Sequence, residues 1–375
     1  MNYIASAEPA WFEVEEIDQI PSPALFFYRD RIIENIRRMI AISDNPNRLR
    51  PHVKTHKVAE IITLQMAQGI KKFKCSTIAE TEMVATCGAK DILLAFQPVG
   101  PNILRLIRVI QKFKDCRISA IVDDESIIQE ISIKAIAAPL NVPLWLDINI
   151  GMNRTGIFPG DEAIRLCRLI TELPNISFAG LHVYDGHIHQ CDLEQRKLVC
   201  NETYKVVDNL IEKLSESGIY IPAVVVGGTP TFPIHASWDN VELSPGTTIL
   251  WDYGYSSSFP DLDFLHAALV FTRVVSKPSI DILCFDLGHK AIGDDMPNPR
   301  VHLFGIHDYE IIKHNEEHLV IKTKEAVSWK VGDHCFGIPY HICPTVIRYD
   351  SALVVENHTV IDEWKITARD RKITI

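Results

Sequence analysis

The sequence from residue 45 to residue 250 alternates short β-rich runs with amphipathic helical stretches, and this alternation constrains the fold most strongly. Strands that alternate with helices pair in parallel through right-handed crossovers. The β-rich runs cover residues 49–54, 72–77, 91–96, 118–122, 143–150, 178–184, 223–228 and 241–246. Eight strands with short connections close most simply into a (β/α)8 TIM-type barrel. A doubly wound open sheet is the alternative.

The pattern changes after residue 260. Runs such as LHAALVFTRVVSKP and SALVVEN are strands separated by turn residues, and they show little helical period. This predicts an α/β barrel followed by a mostly antiparallel β domain. We place the barrel domain at residues 22–259 and the β domain at residues 260–375, with residues 1–21 associated with the β domain.

Composition excludes several classes of function. The 375 residues include 38 basic and 48 acidic ones, a net charge of −10, which argues against a nucleic-acid or polybasic membrane surface. No run of about 18 apolar residues is found, so no membrane-spanning helix is predicted. The first residues are acidic and contain proline, unlike a signal peptide. Nine cysteines, an odd number, then indicate a reduced, cytoplasmic protein.

Two glycine-rich turns follow the last two predicted barrel strands. Barrels that hold phosphate commonly do so with the loops after strands seven and eight, where glycines expose backbone N–H groups. The sequences GGTPT (227–231) and SPGTT (244–248) supply glycines and hydroxyls at both places. Each alone is compatible with an ordinary turn, but together they indicate a phosphate site.

Lys54 ends the first predicted barrel strand, in RPHVKTHK. Pointing inward, its amine would be desolvated beside the cations His52, His56 and Lys57, and such surroundings lower an amine's pKa and make it nucleophilic. An imine-forming lysine across from a phosphate site suggests pyridoxal 5′-phosphate. The alternative is a solvated basic strand end. A second basic cluster, Lys71, Lys72 and Lys74, is interpreted as a solvated face.

The segment His341-Ile342-Cys343 could bind a metal. Residues two apart on an extended strand point the same way, so both side chains could reach one ion. Thiolate and imidazole together favour zinc over magnesium, and two protein ligands leave positions open for substrate. A half-buried strand with an inert thiol is the alternative.

These motifs resemble the fold-type III pyridoxal-phosphate enzymes, and within them the branch of D-threonine aldolases and D-serine dehydratases. The resemblance runs from about Pro21 to Val346, in order. The motifs that carry it are RPHVKTHK, FKCSTIAETEM, GMNRTG, GLHVYDGH, GGTPT, SPGT and PYHICPTV. The resemblance implies an alanine-racemase-like barrel and β domain, assembled as a head-to-tail homodimer with active sites at its interface.

The resemblance also implies roles for single residues. Lys54 would form the Schiff base, and His341 and Cys343 would bind a divalent metal, zinc or manganese. His187 or His189 would lie near the substrate hydroxyl. The cofactor's phosphate and ring would be held by Gly228, Thr229, Gly246, Thr247, Arg154 and Tyr184. Ser244 stands where alanine racemases carry an arginine that tunes the pyridine nitrogen, which argues against racemase-type control.

The metal pair combines features of two activities. D-serine dehydratases present histidine and cysteine, as at His341 and Cys343, whereas the following Pro-Thr-Val is similar to the aldolases. The resemblance therefore implies a D-threonine aldolase-like lyase for D-3-hydroxy amino acids. In that reaction a histidine base takes the hydroxyl proton and the Cα–Cβ bond breaks. The alternative is a D-serine dehydratase-like ammonia-lyase, in which Lys54 takes the α-proton. An amino-acid racemase and a non-catalytic cofactor-binding protein are further alternatives.

Overall fold

The computed structural model describes residues 9–375, so the first eight residues of the predicted N-terminal segment lie outside the described part. The chain divides into two compact units. The barrel unit contains residues 35–249, 256–264 and 367–375, and the sheet unit contains residues 9–34, 250–255 and 265–366. No helix within residues 9–375 is both long and apolar enough to span a bilayer.

The elements are given in chain order. The strands are β1 (Ala24–Tyr28), β2 (Lys72–Cys75), β3 (Asp91–Leu94), β4 (Arg117–Val122), β5 (Val142–Ile148), β6 (Ile176–Val183), β7 (Val224–Val226), β8 (Val241–Leu243), β9 (Ala268–Ser279), β10 (Ile282–Phe285), β11 (Val301–Leu303), β12 (Glu310–His314), β13 (Leu319–Lys322), β14 (His334–Pro339), β15 (Ser351–Glu356) and β16 (Thr359–Lys365). The α-helices are α1 (Arg29–Ser43), α2 (Ala59–Ala67), α3 (Ile78–Thr86), α4 (Pro101–Lys112), α5 (Glu125–Ala137), α6 (Asp161–Glu172), α7 (Leu193–Glu216), α8 (Phe232–His235), α9 (Tyr253–Ser258) and α10 (Ile342–Val346).

The barrel unit is built on the parallel sheet β2-β3-β4-β5-β6-β7-β8. Residues 49–54, predicted as the first barrel strand, are not a regular strand, but they hydrogen-bond to both edges of this sheet. The bonds are Arg50 N to Leu243 O and His52 N to Pro245 O (2.8 Å each) on one side, and Lys74 N to Pro51 O and Val53 N to Lys74 O (2.9 Å each) on the other. The segment therefore closes the sheet into the predicted barrel.

Local sequence explains the barrel's helices and strands. Asp124 and Asp192 cap α5 and α7, since each carboxylate accepts a hydrogen bond from a backbone N–H in the first turn. Pro101 starts α4, where a missing N–H costs nothing. Every residue of β5 is buried, as expected for a central strand of a parallel sheet covered by helices.

The barrel interior is arranged in layers along the strand direction. The lowest layer is ionic: Arg50 donates from Nε to Glu242 (2.6 Å) and from Nη1 to Asp91 (2.7 Å), and Lys72 also pairs with Glu242. Above it lies an apolar layer of Leu93, Ile121, Trp145, Ala179 and Val225. Within this layer the Trp145 indole donates a hydrogen bond to the Ser119 hydroxyl at 3.0 Å, and charged side chains return at the carboxyl ends of the strands, where barrel enzymes place their chemistry.

The sheet unit is built on a mostly antiparallel sheet in the order β12-β13-β10-β9-β1-β15-β16, with β14 pairing to β9 and β11. The early strand β1 joins it, antiparallel to β9 and parallel to β15. Phe26, Phe271 and Phe336, from β1, β9 and β14, meet in its core with ring centroids 5.2–5.8 Å apart. This agrees with the predicted β domain after the barrel.

Candidate active site

Three cationic groups surround the ring of Tyr184, which follows β6. The Lys54 Nζ lies 5.9 Å from the ring centroid, the Lys74 Nζ 5.7 Å, and the Arg154 guanidinium carbon 5.0 Å. Lys54 is half-buried at the end of the segment that closes the barrel. The structure therefore brings three of the predicted residues, Lys54, Arg154 and Tyr184, together at one end of the barrel.

A buried carboxylate balances part of this charge. Asp147, on β5, lies 2.7 Å from the His182 Nδ1 of β6 and accepts a hydrogen bond from the Thr155 hydroxyl at 2.8 Å. Burial opposes its ionisation, but the hydrogen bond and charge of His182 outweigh burial and hold the pKa of Asp147 below its usual value. The site thus contains a fixed negative charge beneath its cations.

The two predicted glycine turns contact each other at the ends of β7 and β8. The Thr229 hydroxyl accepts hydrogen bonds from the backbone N–H groups of Gly246 and Thr247, both at 3.1 Å. A Cβ atom on Gly228 would lie 3.1 Å from the Tyr184 ring, and one on Gly246 would lie 3.3 Å from the His52 Cβ. A larger residue at either position would therefore require the ring or the Lys54 segment to move by a few tenths of an ångström.

A buried network supports the first glycine turn. Asp185 accepts a hydrogen bond from the Thr231 hydroxyl at 2.9 Å and lies 2.8 Å from the His235 Nε2. Thr231 in turn accepts from the Gly228 N–H at 3.1 Å. Sequence reasoning assigned no role to Asp185 or His235, because their contacts join residues 50 positions apart.

The possible ligand atoms of Asp185, Cys200 and His235 lie within 4.8 Å of one another, close enough to hold a metal ion. This is the one such group of three in residues 9–375. Burial raises the pKa of Cys200 to about 12, so its sulfur is a thiol rather than the thiolate that metals bind. Because the carboxylate of Asp185 already has the hydrogen-bonding partners described above, we interpret this group as support for the turn.

The two histidines of the DGHIH segment differ in environment. His189 is exposed, whereas His187 is half-buried against the backbone of the GMNRTG turn, with its Nε2 3.0 Å from the position of a Cβ on Gly151. Burial lowers the pKa of His187, so its imidazole is neutral near pH 7 and able to accept a proton.

The predicted metal pair belongs to the sheet unit, but not to a strand. His341 is the N-cap of α10 and Cys343 lies in its first turn, so the expected extended conformation is wrong. Pro344 is compatible with a first helical turn, because residues there have no intrahelical partner for their N–H. The two side chains still interact: burial would lower the pKa of His341, but the hydrogen bond and charge of Cys343, with Asp295, raise it to about 9.

These donors fit a zinc-like cation. The His341 Nδ1 lies 2.6 Å from the Asp295 carboxylate, which leaves the Nε2 as the nitrogen for an ion. Such a carboxylate partner is typical of metal-binding histidines. Nitrogen and sulfur donors with nearby carboxylate oxygen suit zinc better than magnesium.

The residues of the barrel unit fit a carbonyl cofactor with a phosphate tail. In the described part of the chain, the Lys54 and Lys74 amines have no hydrogen-bonding partner for Nζ, and both approach the Tyr184 ring. The adjoining glycine turns have the composition and position of a phosphate-binding element. A buried amine, a ring platform and an anion-binding turn are the groups that pyridoxal phosphate requires.

Two other expectations about basic residues are wrong. Lys74 is 3% exposed rather than part of a solvated face, because β2 directs it into the barrel. His56 is not a charged neighbour of Lys54 as expected, because burial lowers its pKa to about 3, and the charge of Lys57 is compensated by its ion pair with Glu80. The cation beside Lys54 therefore comes from the adjacent strand.

The fold and site define a fold-type III pyridoxal-phosphate enzyme, and comparison with known families agrees. Residues 28–254 match the family described as the alanine racemase N-terminal domain, and residues 267–355 match a serine dehydratase domain. The first match covers more than half of the chain, which therefore belongs to the alanine racemase N-terminal domain family.

Several known proteins are similar to this chain over nearly its full length. The chain is 28% identical to the D-threonine aldolase of an Arthrobacter species, over 95% of this chain and 94% of that protein. It is 27% identical to the 3-hydroxy-D-aspartate aldolase of Paracoccus denitrificans, over 94% and 93%. The crystal structure of D-threonine aldolase from Filomicrobium marinum superposes with a TM-score of 0.86 at 28% identity, covering 97% of this chain and 99% of that one.

Proposed function

We propose that this chain is a D-threonine aldolase-like lyase, which cleaves the Cα–Cβ bond of D-3-hydroxy amino acids to glycine and an aldehyde. Its class, a pyridoxal-phosphate-dependent lyase for D-hydroxy amino acids, is that of the full-length relatives. The observation that carries the proposal is the grouping of Lys54 and the first glycine turn around the Tyr184 ring, with the second turn hydrogen-bonded to the first, at the carboxyl ends of the barrel strands.

In this proposal the barrel unit holds the cofactor. Lys54 forms the covalent link, and the two turns bind the phosphate, whose oxygens would replace the Thr229 and Thr231 hydroxyls as acceptors for the backbone N–H groups of the turns. Tyr184 packs beside the ring and Arg154 adds positive charge to it. The residues proposed for the phosphate are Gly228, Thr229, Gly246 and Thr247. Bound pyridoxal phosphate supplies an electron sink for the pair released when a bond at Cα breaks.

Proton transfer and metal binding fall to other residues. We assign the base to His187 rather than the exposed His189, because a half-buried neutral imidazole is suited to take the substrate's hydroxyl proton. His341 and Cys343 would hold zinc or manganese, which supplies Lewis-acid activation of that hydroxyl. Asp295 would fix the orientation of His341.

The dehydratase activity is the second candidate, and Cys343 favours it, as does the serine dehydratase match that includes this residue. In that reaction Lys54 would remove the α-proton, and hydroxide would leave with help from the metal. The products would be ammonia and a 2-oxo acid.

Product analysis tests both candidates. Purified protein is incubated with D-threonine, pyridoxal phosphate and added zinc or manganese, with Lys54→Ala protein as the control. We expect glycine and acetaldehyde in equal amounts from the wild type and neither from the variant. Production of 2-oxobutyrate and ammonia would replace the aldolase with the dehydratase, and racemisation alone would reject both.

The remaining assignments concern the molecule in the cell. We propose a homodimer that acts on a small D-amino acid, with no nucleic-acid or membrane partner, as its net charge of −10 suggests. A cytoplasmic location is supported by the nine cysteines, none of which forms a disulfide in the described structure.

A further inference from the structure

Lys74 is a second amine in the barrel that the proposed function does not use. It extends from β2 toward the Tyr184 ring, is 3% exposed, and has no hydrogen-bonding or ion-pairing partner for its Nζ within residues 9–375. The side chain is buried, but its Nζ is not one of the fully buried nitrogens that lack a hydrogen bond, so it reaches the open space beside the Tyr184 ring. The amine is therefore available to a neighbouring group in that space.

The backbone places Lys74 directly beside the Lys54 segment. His52 and Lys74 form a parallel bridge, and the Val53 N–H donates to the Lys74 carbonyl at 2.9 Å. Lys54 and Lys74 approach the same ring, at 5.9 and 5.7 Å. The two amines therefore face the same space beside the ring.

Lys74 is suited to accept a proton near neutral pH. Burial lowers its pKa, and the positive charge of Lys54 lowers it further, to about 7. The carboxylates of Asp185 and Asp147 oppose this change. The remaining titratable or charged groups around the two amines are Arg50, His52, His182 and Arg154. At pH 7 to 8 a substantial fraction of Lys74 is thus neutral and able to accept a proton.

We propose that Lys74 is the proton acceptor for Lys54. An ammonium group cannot attack a carbonyl carbon, so Lys54 must lose a proton before it forms its covalent link. The proton moves from the Lys54 Nζ to the Lys74 Nζ, leaving Lys54 neutral and Lys74 charged, and it returns when Lys54 is released. Lys74 therefore acts through Lys54 and makes no bond to the substrate.

The rate at which cofactor attaches to Lys54 tests this role. Cofactor-free full-length wild type, Lys74→Met and Lys74→Arg proteins are mixed with pyridoxal phosphate, and the visible absorbance of the bound cofactor is followed from pH 6.5 to 9.5. We expect attachment at pH 7.5 to be at least about tenfold slower in both variants, the lower range for a lost general base. The deficit should shrink as the pH rises, because solvent then removes the proton.

Lys72→Met is the matched control, since Lys72 lies on the same strand and the same face but pairs with Glu242 in the lower layer. It should behave as wild type. Wild-type rates in Lys74→Arg would show that only a charge is needed and would overturn the proposal. A deficit that is constant across pH would assign Lys74 a structural role and would also overturn it.

A second measurement does not depend on the Lys74 variants folding. In wild-type protein, acetylation of Lys74 by a pH-dependent reagent, quantified by mass spectrometry, should have its midpoint near pH 7. In Lys54→Met protein the midpoint should rise by about one unit, because a neighbouring positive charge is removed. An unchanged midpoint rejects the coupling between the two amines.

The inference relies on the proposed function for the identity of the anchoring amine. If Lys54→Met protein still gains the visible band, the anchor is elsewhere and the proposed function fails. If that variant loses the band while the Lys74 variants match wild type, only the inference fails.

Discussion

Tyr184 is the residue around which the site is organised. Lys54, Lys74 and Arg154 all lie within 6 Å of its ring, and cations at this distance from an aromatic face are attracted by the ring quadrupole. The same ring lies so close to Gly228 that a Cβ atom there would be 3.1 Å from it. A single aromatic side chain thus connects the anchoring amine with the phosphate turn.

Metal dependence is predicted at the residue scale. We expect His341→Ala to lower aldol cleavage of D-threonine by at least about 100-fold, because the Lewis acid is lost. Asp295→Ala should instead raise the zinc concentration for half-maximal activity by about 10- to 100-fold, and excess zinc should restore the rate. Activity assays across a zinc titration measure both effects.

The exposed His318 provides the control for this experiment. His318→Ala should retain wild-type activity and zinc dependence. Full cleavage activity of His341→Ala in the presence of a chelator would contradict the metal assignment.

Single residues were predictable where the chain marks a strand end. The positions of Lys54, Tyr184 and the glycine turns follow from the alternating pattern, because parallel strands bring their carboxyl ends together. Lys74 was misread, since its neighbours Lys71 and Lys72 suggest a solvated surface while the register of β2 turns it inward. Register depends on pairing with distant strands, so a local basic cluster does not disclose it.

At the scale of elements, Gly180 of β6 packs directly against the backbone of Ala223. A Cβ atom there would lie 2.0 Å from the Ala223 carbonyl oxygen, and the residue has φ +136°. We expect Gly180→Ala to destabilise the protein by about 3 kcal/mol or more, because backbone must shift and the conformation is strained. Urea unfolding followed by circular dichroism measures the change.

Gly160→Ala is the comparison for Gly180→Ala. Gly160 precedes α6 with no atom within 4 Å of its would-be Cβ and no positive φ. Its substitution should cost about 1 kcal/mol or less, the loss typical of a helix N-cap. Equal effects of the two substitutions would show that the approach at β6 is not restrictive.

The turn after the Lys54 segment should make stability dependent on pH. His56 is buried, its Nδ1 accepts from the Val58 N–H, and burial lowers its pKa from 6.5 to about 3. Below pH 6.5 the unfolded chain binds a proton at this residue and the folded chain does not, so stability falls as the pH drops toward 3. At pH 5 this contribution is about 2 kcal/mol, from 1.36 kcal/mol per pH unit.

We therefore expect the free energy of unfolding to fall by about 2 kcal/mol less in His56→Gln than in wild type when the pH changes from 7.5 to 5.0. Unfolding in urea at the two pH values measures this difference. His318→Gln, on the exposed surface, should follow wild type. Parallel behaviour of all three proteins would rule out His56 as a source of acid sensitivity.

The element that carries the metal pair shows a limit of sequence reasoning. The spacing of His341 and Cys343 suggested a strand, since β-rich sequence surrounds it, yet α10 begins there. A helix of five residues leaves too little periodicity to detect. The two side chains meet in either conformation, so the chemical expectation did not depend on the element.

At the scale of the whole molecule, a barrel followed by a β domain was predictable. Strands alternate with helices in the first part of the chain and with turns in the second, and each pattern continues for more than 100 residues. The domain limits of 22–259 and 260–375 stay a prediction. The unit that contains β1 also contains β9 and β15, a connection through distant pairing that no local pattern encodes.

Assembly is a prediction at the same scale. Sedimentation velocity should give one species of twice the chain mass, and this mass should persist through dilution to nanomolar concentration. The measurement is repeated with His341→Ala protein, which should form the same dimer. A monomer that cleaves D-threonine at the wild-type rate would contradict the proposed homodimer.

The lower layers of side chains fill the barrel interior, so the site is open at the carboxyl ends of the strands. Arg50 and its carboxylate partners, with Trp145 and its apolar neighbours above them, fill the interior below the strand ends. A compound that reaches Lys54 from the carboxyl ends of the strands therefore departs on the same side. For an aldol cleavage this sets the order of product release. The aldehyde, which has no covalent attachment, must leave first, and the covalently held glycine fragment leaves after it.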